Sequence, residues 1–486
     1  MFLAAPGRAG EFAPTTFTNL QAQVSGAWLG EPAHRVNDSG EIIGGGNEAK
    51  YWSSSLEGTV IPTLGGAYNS ASSLSATGVV AGSSQIEPYQ YTDSKTQLYT
   101  WTPAGGVRAI GALPEGQYIG ARKVNARGDI IGSGNYPGQG YGGYGDVSFL
   151  WTEAGGFEVL KPPADGIDIY PADLNDRGQI VGDYGRGTDA YDVSYHAFFR
   201  EANGEFTSLG FPGEYWSSAA FINNAGQVAG VFSPDGAGGN VHAFIWEPKT
   251  GSVDLGQLTE GEYLSVNDFS EKGHMTGESW SGAWFWSPET GMVRIPTTGG
   301  SYNVAYALND VDQVVGWSWV SGDSVSEAFV WSPASGTSPL PSPPSIQSAA
   351  LDINNHGRIV GYSMPNDAES YGWYTIPALW TIPDPSPQDD IIALLITKVK
   401  ALHDGGAISK SESVLMLQAL EAALRFRDDS KAKQACGALD RFVTHVMQLA
   451  KRNALEAATA DELTGLAQKA IAQMTITKND CTGGRR

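Results

Sequence analysis

Cysteine is nearly missing from this chain: its 486 residues hold two, Cys436 and Cys481, both near the C-terminal end. Everything before them must stand on packing and hydrogen bonds, without covalent staples, and the redox compartment is only weakly constrained. No run of eighteen or more apolar residues occurs, which excludes a membrane-spanning helix. The apolar patch Phe2–Ala5 is too short for the apolar region of a signal peptide, so residues 1–12 read as a flexible tail or cloning remnant.

Basic residues are scarce too, with 30 Lys+Arg against 52 Asp+Glu, a formal net charge of -22. The deficit is local: 16 basic and 40 acidic residues precede Asp389, while 14 basic and 12 acidic residues run from Asp389 onward. Such a split marks two domains and argues against nucleic acid or an anionic membrane as a partner of the first. Neutral sugars, cations and proteins stay open. Short catalytic signatures are also absent: there is no Gly-x-Ser-x-Gly, His-Glu-x-x-His, Cys-x-x-Cys or phosphate loop. The glycines Gly138, Gly140, Gly142 and Gly143 read as a strand connection, and neither a cofactor nor a metal is expected.

What is abundant is turn-forming residues, 62 Gly and 26 Pro. One phrase recurs, as in Leu174-Asn175-Asp176-Arg177-Gly178-Gln179-Ile180-Val181-Gly182. Its anchors are Asn37, Ser75, Asn125, Asn175, Asn223, Ser270, Asn309 and Asn354, spaced 38, 50, 50, 48, 47, 39 and 45 apart. Asn, Asp and Gly between two apolar runs make a hairpin, because Asn and Asp bond nearby backbone and Gly accepts positive φ. Each unit then reads as strand A before the anchor, strand B after it, a variable loop, strand C ending in Trp, and strand D. Four places before the anchors stand Ala33, Ala71, Ala121, Pro171, Ala219, Val266, Ala305 and Ala350, small residues suited to the crowded axis of a ring. Strand C ends in Trp52, Trp101, Trp151, Trp246, Trp286, Trp331 and Trp380, with Arg200 the exception; large rings fill the gap that widens away from the axis. The eighth unit lacks a strand D, and Thr16–Leu20 resembles one. The expected fold is therefore all-β: an eight-bladed β-propeller of four-stranded blades over residues 13–384, closed by its N-terminal strand.

The repeats carry His196-Ala197-Phe198 and His242-Ala243-Phe244, with the related Glu327-Ala328-Phe329 and Val147-Ser148-Phe149. In this the chain resembles the bacterial extracellular repeat proteins named for the tripeptide His-Ala-Phe. The resemblance implies secretion and a propeller, and no particular activity.

After the linker Pro383–Gln388 the apolar period changes to about 3.6. Residues 389–476 are expected to form a small four-helix domain, followed by a flexible tail over 477–486. Ser409 with Glu412 forms a capping box, Thr459 with Glu462 another, and Leu463, Leu466, Ala467, Ala470, Ile471 and Met474 make an inward stripe. Gln434-Ala435-Cys436-Gly437-Ala438-Leu439-Asp440-Arg441-Phe442-Val443 resembles the FIMAH-type helical module found at the ends of secreted bacterial multidomain proteins. Cys436, on an apolar helix face, reads as a buried free thiol rather than a partner of Cys481. A protein partner is open to this domain.

His196 and His242 recur at equivalent positions of strand C, as structural residues do. Arg35, Lys123, Asp173, Asp268 and Asp352 stand two places before their anchors, and His34 and Arg122 three; all should approach a channel on the axis, where mutual compensation is the plain reading. The connections from B to C and from D to A must emerge on one face, because antiparallel strands alternate in direction. That face is rich in aromatic and acidic residues. The candidate ligand-binding set is Trp28, Tyr136, Tyr141, Tyr184, Trp216, Trp280, Trp317, Trp319, Trp373 and Tyr374, with the carboxylates Asp183 and Glu278. Sugar rings stack their C–H faces on aromatic rings while their hydroxyls bond carboxylates. The expected function is extracellular glycan binding to a poly- or oligosaccharide. The alternatives are a polysaccharide lyase or glycoside hydrolase on the same face, with Glu31, Glu115, Asp168, Glu214 and Glu262 as candidate acids, or a protein-binding adhesion scaffold.

Overall fold

The computed structural model describes residues 15–21, 32–87, 95–114, 118–137, 144–164, 166–187, 193–211, 214–236, 240–365, 375–382, 391–404, 407–428, 432–452, 454–456, 459–460 and 463–468. The chain divides into two compact units, Met1–Ile382 and Pro383–Arg486.

The first unit is an eight-bladed β-propeller. Blade 5 shows the pattern: Trp216–Ile222, Val228–Ser233, His242–Glu247 and Gly251–Gly256 pair in chain order as one antiparallel sheet. Seven blades are continuous in sequence. The eighth takes Ser345–Ile353, Arg358–Pro365 and Ile376–Thr381 from the end of the unit and Thr16–Asn19 from its start, with Thr16 opposite Thr381 and Phe17 opposite Trp380. The closing strand is held by an edge contact of Phe17 on Trp380 at 5.9 Å and by the Trp52 Nε1–H, which donates to the Leu20 carbonyl of the incoming chain at 3.1 Å.

Each asparagine anchor does two jobs. Its side-chain oxygen accepts the N–H four residues on and closes the hairpin, as Asn175 does for Gln179 at 3.0 Å. Its amide nitrogen reaches the next blade: Asn37 donates to the Ser75 carbonyl, Asn125 to Asn175, Asn175 to Asn223, Asn223 to Ser270, Asn309 to Asn354, and Asn354 back to Asn37, at 2.9 to 3.3 Å. Ser75 and Ser270 close their own turns through Oγ, but a hydroxyl is too short for the second bond. One residue further on runs a second ring, in which backbone N–H groups donate to the next blade's side chain: Ala126 to Asp176, Asp176 to Asn224, Asn224 to Glu271, Glu271 to Asp310, Asp310 to Asn355, and Asn355 to Asp38. Inter-blade order is thus fixed by polar groups around the axis, while apolar clusters fill the gaps further out.

Strand A carries a β-bulge in every blade, its third residue before the anchor being skipped in the pairing, as between Ala121 and Lys123. Opposite the residue just before the bulge stands a glycine of strand B, as in the pairs Ala219–Gly230 and Ala305–Gly316. A Cβ on Gly316 would collide with the Val304 carbonyl, so the bulge admits nothing larger. The Trp residues ending strand C are buried at Trp52, Trp101, Trp151, Trp246, Trp331 and Trp380, and half-buried at Trp286. Arg200 takes the same place by donating to Glu158 at 2.7 Å.

The second unit contains helices α1 (Ile391–Asp404), α2 (Lys410–Asp428) and α3 (Ala432–Lys451), with further helix at residues 463–468. Its core joins Leu395, Val399, Met416, Leu420, Leu439, Phe442, Val446 and Leu463. The Ser409–Glu412 capping box forms as expected: Glu412 accepts the Ser409 N–H at 2.8 Å and Ser409 Oγ accepts the Glu412 N–H at 3.3 Å. Cys436 departs from expectation. It is disulfide-bonded rather than free, and the chain's other cysteine, Cys481, lies outside the described residues. An apolar helix face suits a half-cystine as well as a thiol, so burial alone could not separate the two.

Candidate functional site

Strand A residues from all the blades converge on an axial cavity of about 780 Å³, lined in part by Arg35, Lys123, Asp173, Asp268, Tyr306 and Asp352. Most of its charge is compensated or tied to backbone. Lys123 lies 3.2 Å from Asp173, which holds the ammonium above its usual range. Asp173, Asp268 and Asp352 each also accept the backbone N–H of the neighbouring blade, from Ile222, Leu308 and Val36 at 2.8 to 3.0 Å, capping the inner edge of strand A. Burial, then the charge of Asp352, push Asp268 up to about 6. His34 is turned to a structural use, its Nε2 2.9 Å from the Ala71 carbonyl, and Arg122 donates to the Ala172 carbonyl at 2.8 Å.

The face carrying the B-to-C and D-to-A connections holds the aromatic rings. Tyr68, Tyr118, Tyr170, Tyr195, Tyr215, Tyr263, Trp280 and Tyr306 are the exposed aromatic side chains among the described residues, Trp280 at 64%, and all belong to this face or to the channel mouth. Tyr68, Tyr118 and Tyr263 share one place in the repeat, seven before their anchors, where packing would have been the ordinary role; their exposure of 40 to 49% shows solvent-facing rings instead.

The candidate residues sort into three groups. Trp28, Tyr141, Trp373 and Tyr374 lie outside the described residues, and Tyr136 is on a strand, Ile130–Pro137, with its side chain not described. Tyr184 is a correction: it is 2% exposed, packed edge-on against Phe206 at 5.3 Å in the core between blades 3 and 4. Strand B of blade 4 runs on to Gly187, so the alternation that buries Ile180 and Gly182 continues and takes Tyr184 inward. Trp216 is half-buried against the core of the next blade. Trp317 and Trp319 are likewise on a strand, Val314–Trp319, not in a loop.

The third group forms a rim across blades 6 and 7. Trp317 donates through Nε1 to the Tyr306 hydroxyl at 3.1 Å. Its ring lies 6.2 Å from Tyr302 and 5.4 Å, edge-on, from Trp319. The Tyr302 hydroxyl donates to the Ser279 carbonyl at 3.0 Å, and burial raises the carboxyl of Glu278 beside it. Trp280 stands at the end of the adjoining hairpin. A second rim, on blade 4, joins Tyr170, whose hydroxyl donates to Asp168 at 3.1 Å, with Tyr195 at a ring distance of 5.9 Å. Asp183 sits beside it, accepting from Ser218 Oγ at 2.8 Å, and burial raises its carboxyl. Tyr302 and Tyr170 stand on or beside connections expected to emerge on this face but outside the candidate set, and Tyr306 and Tyr195 lie on strands, where no loop signal marks them. Of the candidate acids, Glu31 and Glu115 lie outside the described residues. Among the described residues no group of three His, Cys, Asp or Glu is placed to hold a metal ion.

Residues 392–472 match the FIMAH domain. No curated protein matches the chain. Among solved structures it is similar to dipeptidyl peptidase 4 of Porphyromonas gingivalis, with a TM-score of 0.50 and 9% identity over 77% of this chain and 62% of that one. It is also similar to the β-propeller domain of the Trilobed protease of Pyrococcus furiosus, with a TM-score of 0.44 and 11% identity over 64% of this chain and 98% of that one. A third is virginiamycin B lyase of Staphylococcus aureus, with a TM-score of 0.39 and 12% identity over 67% and 98%. At such identities the likeness is one of fold, and the C-terminal unit is similar to a FIMAH domain.

Proposed function

We propose that the propeller is an extracellular glycan-binding module that takes a poly- or oligosaccharide on its aromatic loop face. One observation carries the reading: the exposed aromatic rings among the described residues gather on that face and the channel mouth, with Glu278, Asp168 and Asp183 beside them. Ring faces flanked by carboxylates provide both halves of sugar recognition, stacking and hydrogen bonding. The acidic balance of the first unit favours a neutral or cationic glycan over a polyanionic one. The His-Ala-Phe repeats and the FIMAH-like unit support a place outside the cell, where a disulfide at Cys436 persists.

The test is retention of the full chain on a panel of neutral, amino-sugar and acidic polysaccharides, with reducing ends and unsaturated products followed in the same samples. Retention without products is expected. Cleavage would establish the lyase or hydrolase reading instead, and no retention on any member would leave the adhesion scaffold as the better account.

A further inference from the structure

Blade 4 carries an arrangement that the sugar-binding reading does not use. Ser194 and His196, two apart on strand Val193–Arg200, share one face of it. Ser194 Oγ lies 2.9 Å from His196 Nε2, and His196 Nδ1 lies 2.9 Å from Glu214 Oε1. Glu214 is held firmly: its side chain is 4% exposed, it accepts from Ser217 Oγ at 2.9 Å, and its other oxygen accepts the Phe211 N–H at 2.6 Å. Ser217 is fixed in turn by the Ala197 N–H at 2.8 Å.

The bonding order follows from the groups. An ionised carboxylate only accepts, so Nδ1 of His196 must carry its proton toward Glu214. In that tautomer of the neutral ring, Nε2 presents a lone pair and Ser194 is the donor. That is the order a nucleophilic serine requires: hydroxyl to imidazole base, base to an orienting carboxylate. The adjacent blade supplies a built-in comparison. His242 occupies the equivalent place, with Nδ1 2.9 Å from Asp254, but its Nε2 faces the Asn240 amide oxygen at 3.2 Å. There the histidine braces a strand, and an amide oxygen stands where a nucleophile would. In blade 4 a hydroxyl stands where Asn240 stands in blade 5, next to the exposed Tyr195 and across the sheet from the exposed Arg186.

We propose that Ser194, His196 and Glu214 form a hydrolytic site for small carboxylic esters. Ser194 Oγ attacks the ester carbonyl carbon while its proton passes to His196 Nε2. The tetrahedral adduct expels the alcohol, which leaves with that proton. Water then attacks the acyl-serine, giving its proton to His196, and the carboxylic acid departs as Ser194 recovers its hydrogen. Esters are the fitting class because an alkoxide leaves far more readily than an amide nitrogen. The proposal is independent of sugar binding.

The experiment exposes the full chain to a fluorophosphonate, which traps activated serines, and maps the adduct by mass spectrometry. The expected result is one adduct, on Ser194, with hydrolysis of a p-nitrophenyl ester lost in Ser194→Ala. Labelling should slow by about 100-fold or more in His196→Ala and stay unchanged in His242→Ala, with melting curves confirming that each variant is folded. If His196→Ala fails to fold, His196→Asn serves in its place, and the mapping on the unmodified chain stands regardless. No adduct, an adduct elsewhere, or equal labelling rates with and without the imidazole would overturn the proposal.

Discussion

At Gly316 an added methyl group would run into the Val304 carbonyl, a backbone atom held in the sheet by pairing with Trp317. Gly316→Ala is therefore expected to cost about 3 kcal/mol of stability, at the upper end of ordinary overpacking. A denaturant midpoint close to the parent's would show that the bulge relaxes instead. Asp268 makes the residue scale sensitive to pH. Burial raises its carboxyl to about 6 in the folded chain, whereas an unfolded Asp titrates near about 4. Between those values the folded chain keeps a proton that the unfolded chain has released, so its contribution to stability is full below about pH 4 and is lost as pH rises through about 6. Asp268→Asn should lose less stability than the parent between pH 4 and 7, the difference being about 1 to 2 kcal/mol. Parallel pH profiles for the two proteins would contradict this. The anchors show what was legible at this scale. Asn, Asp and Gly announced the hairpins, because turn chemistry is local. Their second bond, across to a carbonyl 38 to 50 residues away, leaves no local trace, and neither does the difference between Tyr184, buried, and Tyr68, exposed.

Among the elements, the strand Thr16–Asn19 bears the most consequence, since it supplies the outer strand of a blade whose other three lie more than 300 residues later. Removing residues 1–21 should strip the edge contact to Trp380 and the bond from Trp52 to Leu20, and expose a strand edge. A sharp fall in melting temperature is expected, and an unchanged curve would mean the ring is held by its axial polar bonds alone. In the helical unit, Ser409→Ala removes one half of a reciprocal cap and should cost about 1 kcal/mol, read as a shift in helical unfolding. The closing strand was legible because it matched a missing piece of a counted repeat. The lengths of the B strands were not: Trp317 and Trp319 look like loop residues until the pairing with Ser326–Ser332 carries the strand to Trp319. Strand ends are settled by partners, and partners are tertiary.

At the scale of the propeller, eight similar blades create a face on which the aromatic rings differ from blade to blade. Repetition told where the face is, because strand direction fixes which connections share it, but it concealed which rings approach one another. Tyr302, Tyr306 and Trp317 come together across the first two paired strands of blade 7, where the bulge at Tyr306 and the run of the second strand out to Trp319 decide the approach. The acidic first unit adds a long-range bias against polyanions, screened over about 10 Å at 0.1 M salt. The most direct test of the account is a calorimetric titration of the retained glycan into the parent, into Trp280→Ala with Tyr215→Ala, and into Val311→Ser. Val311 is also exposed but lies in an anchor turn on the opposite face. The loop-face double variant should bind more weakly by about 1 to 3 kcal/mol, allowing about 0.5 to 1.5 for each aromatic contact, with its melting curve nearly unmoved, and Val311→Ser should bind as the parent does. Equal affinities in all three proteins would contradict the assignment of the loop face.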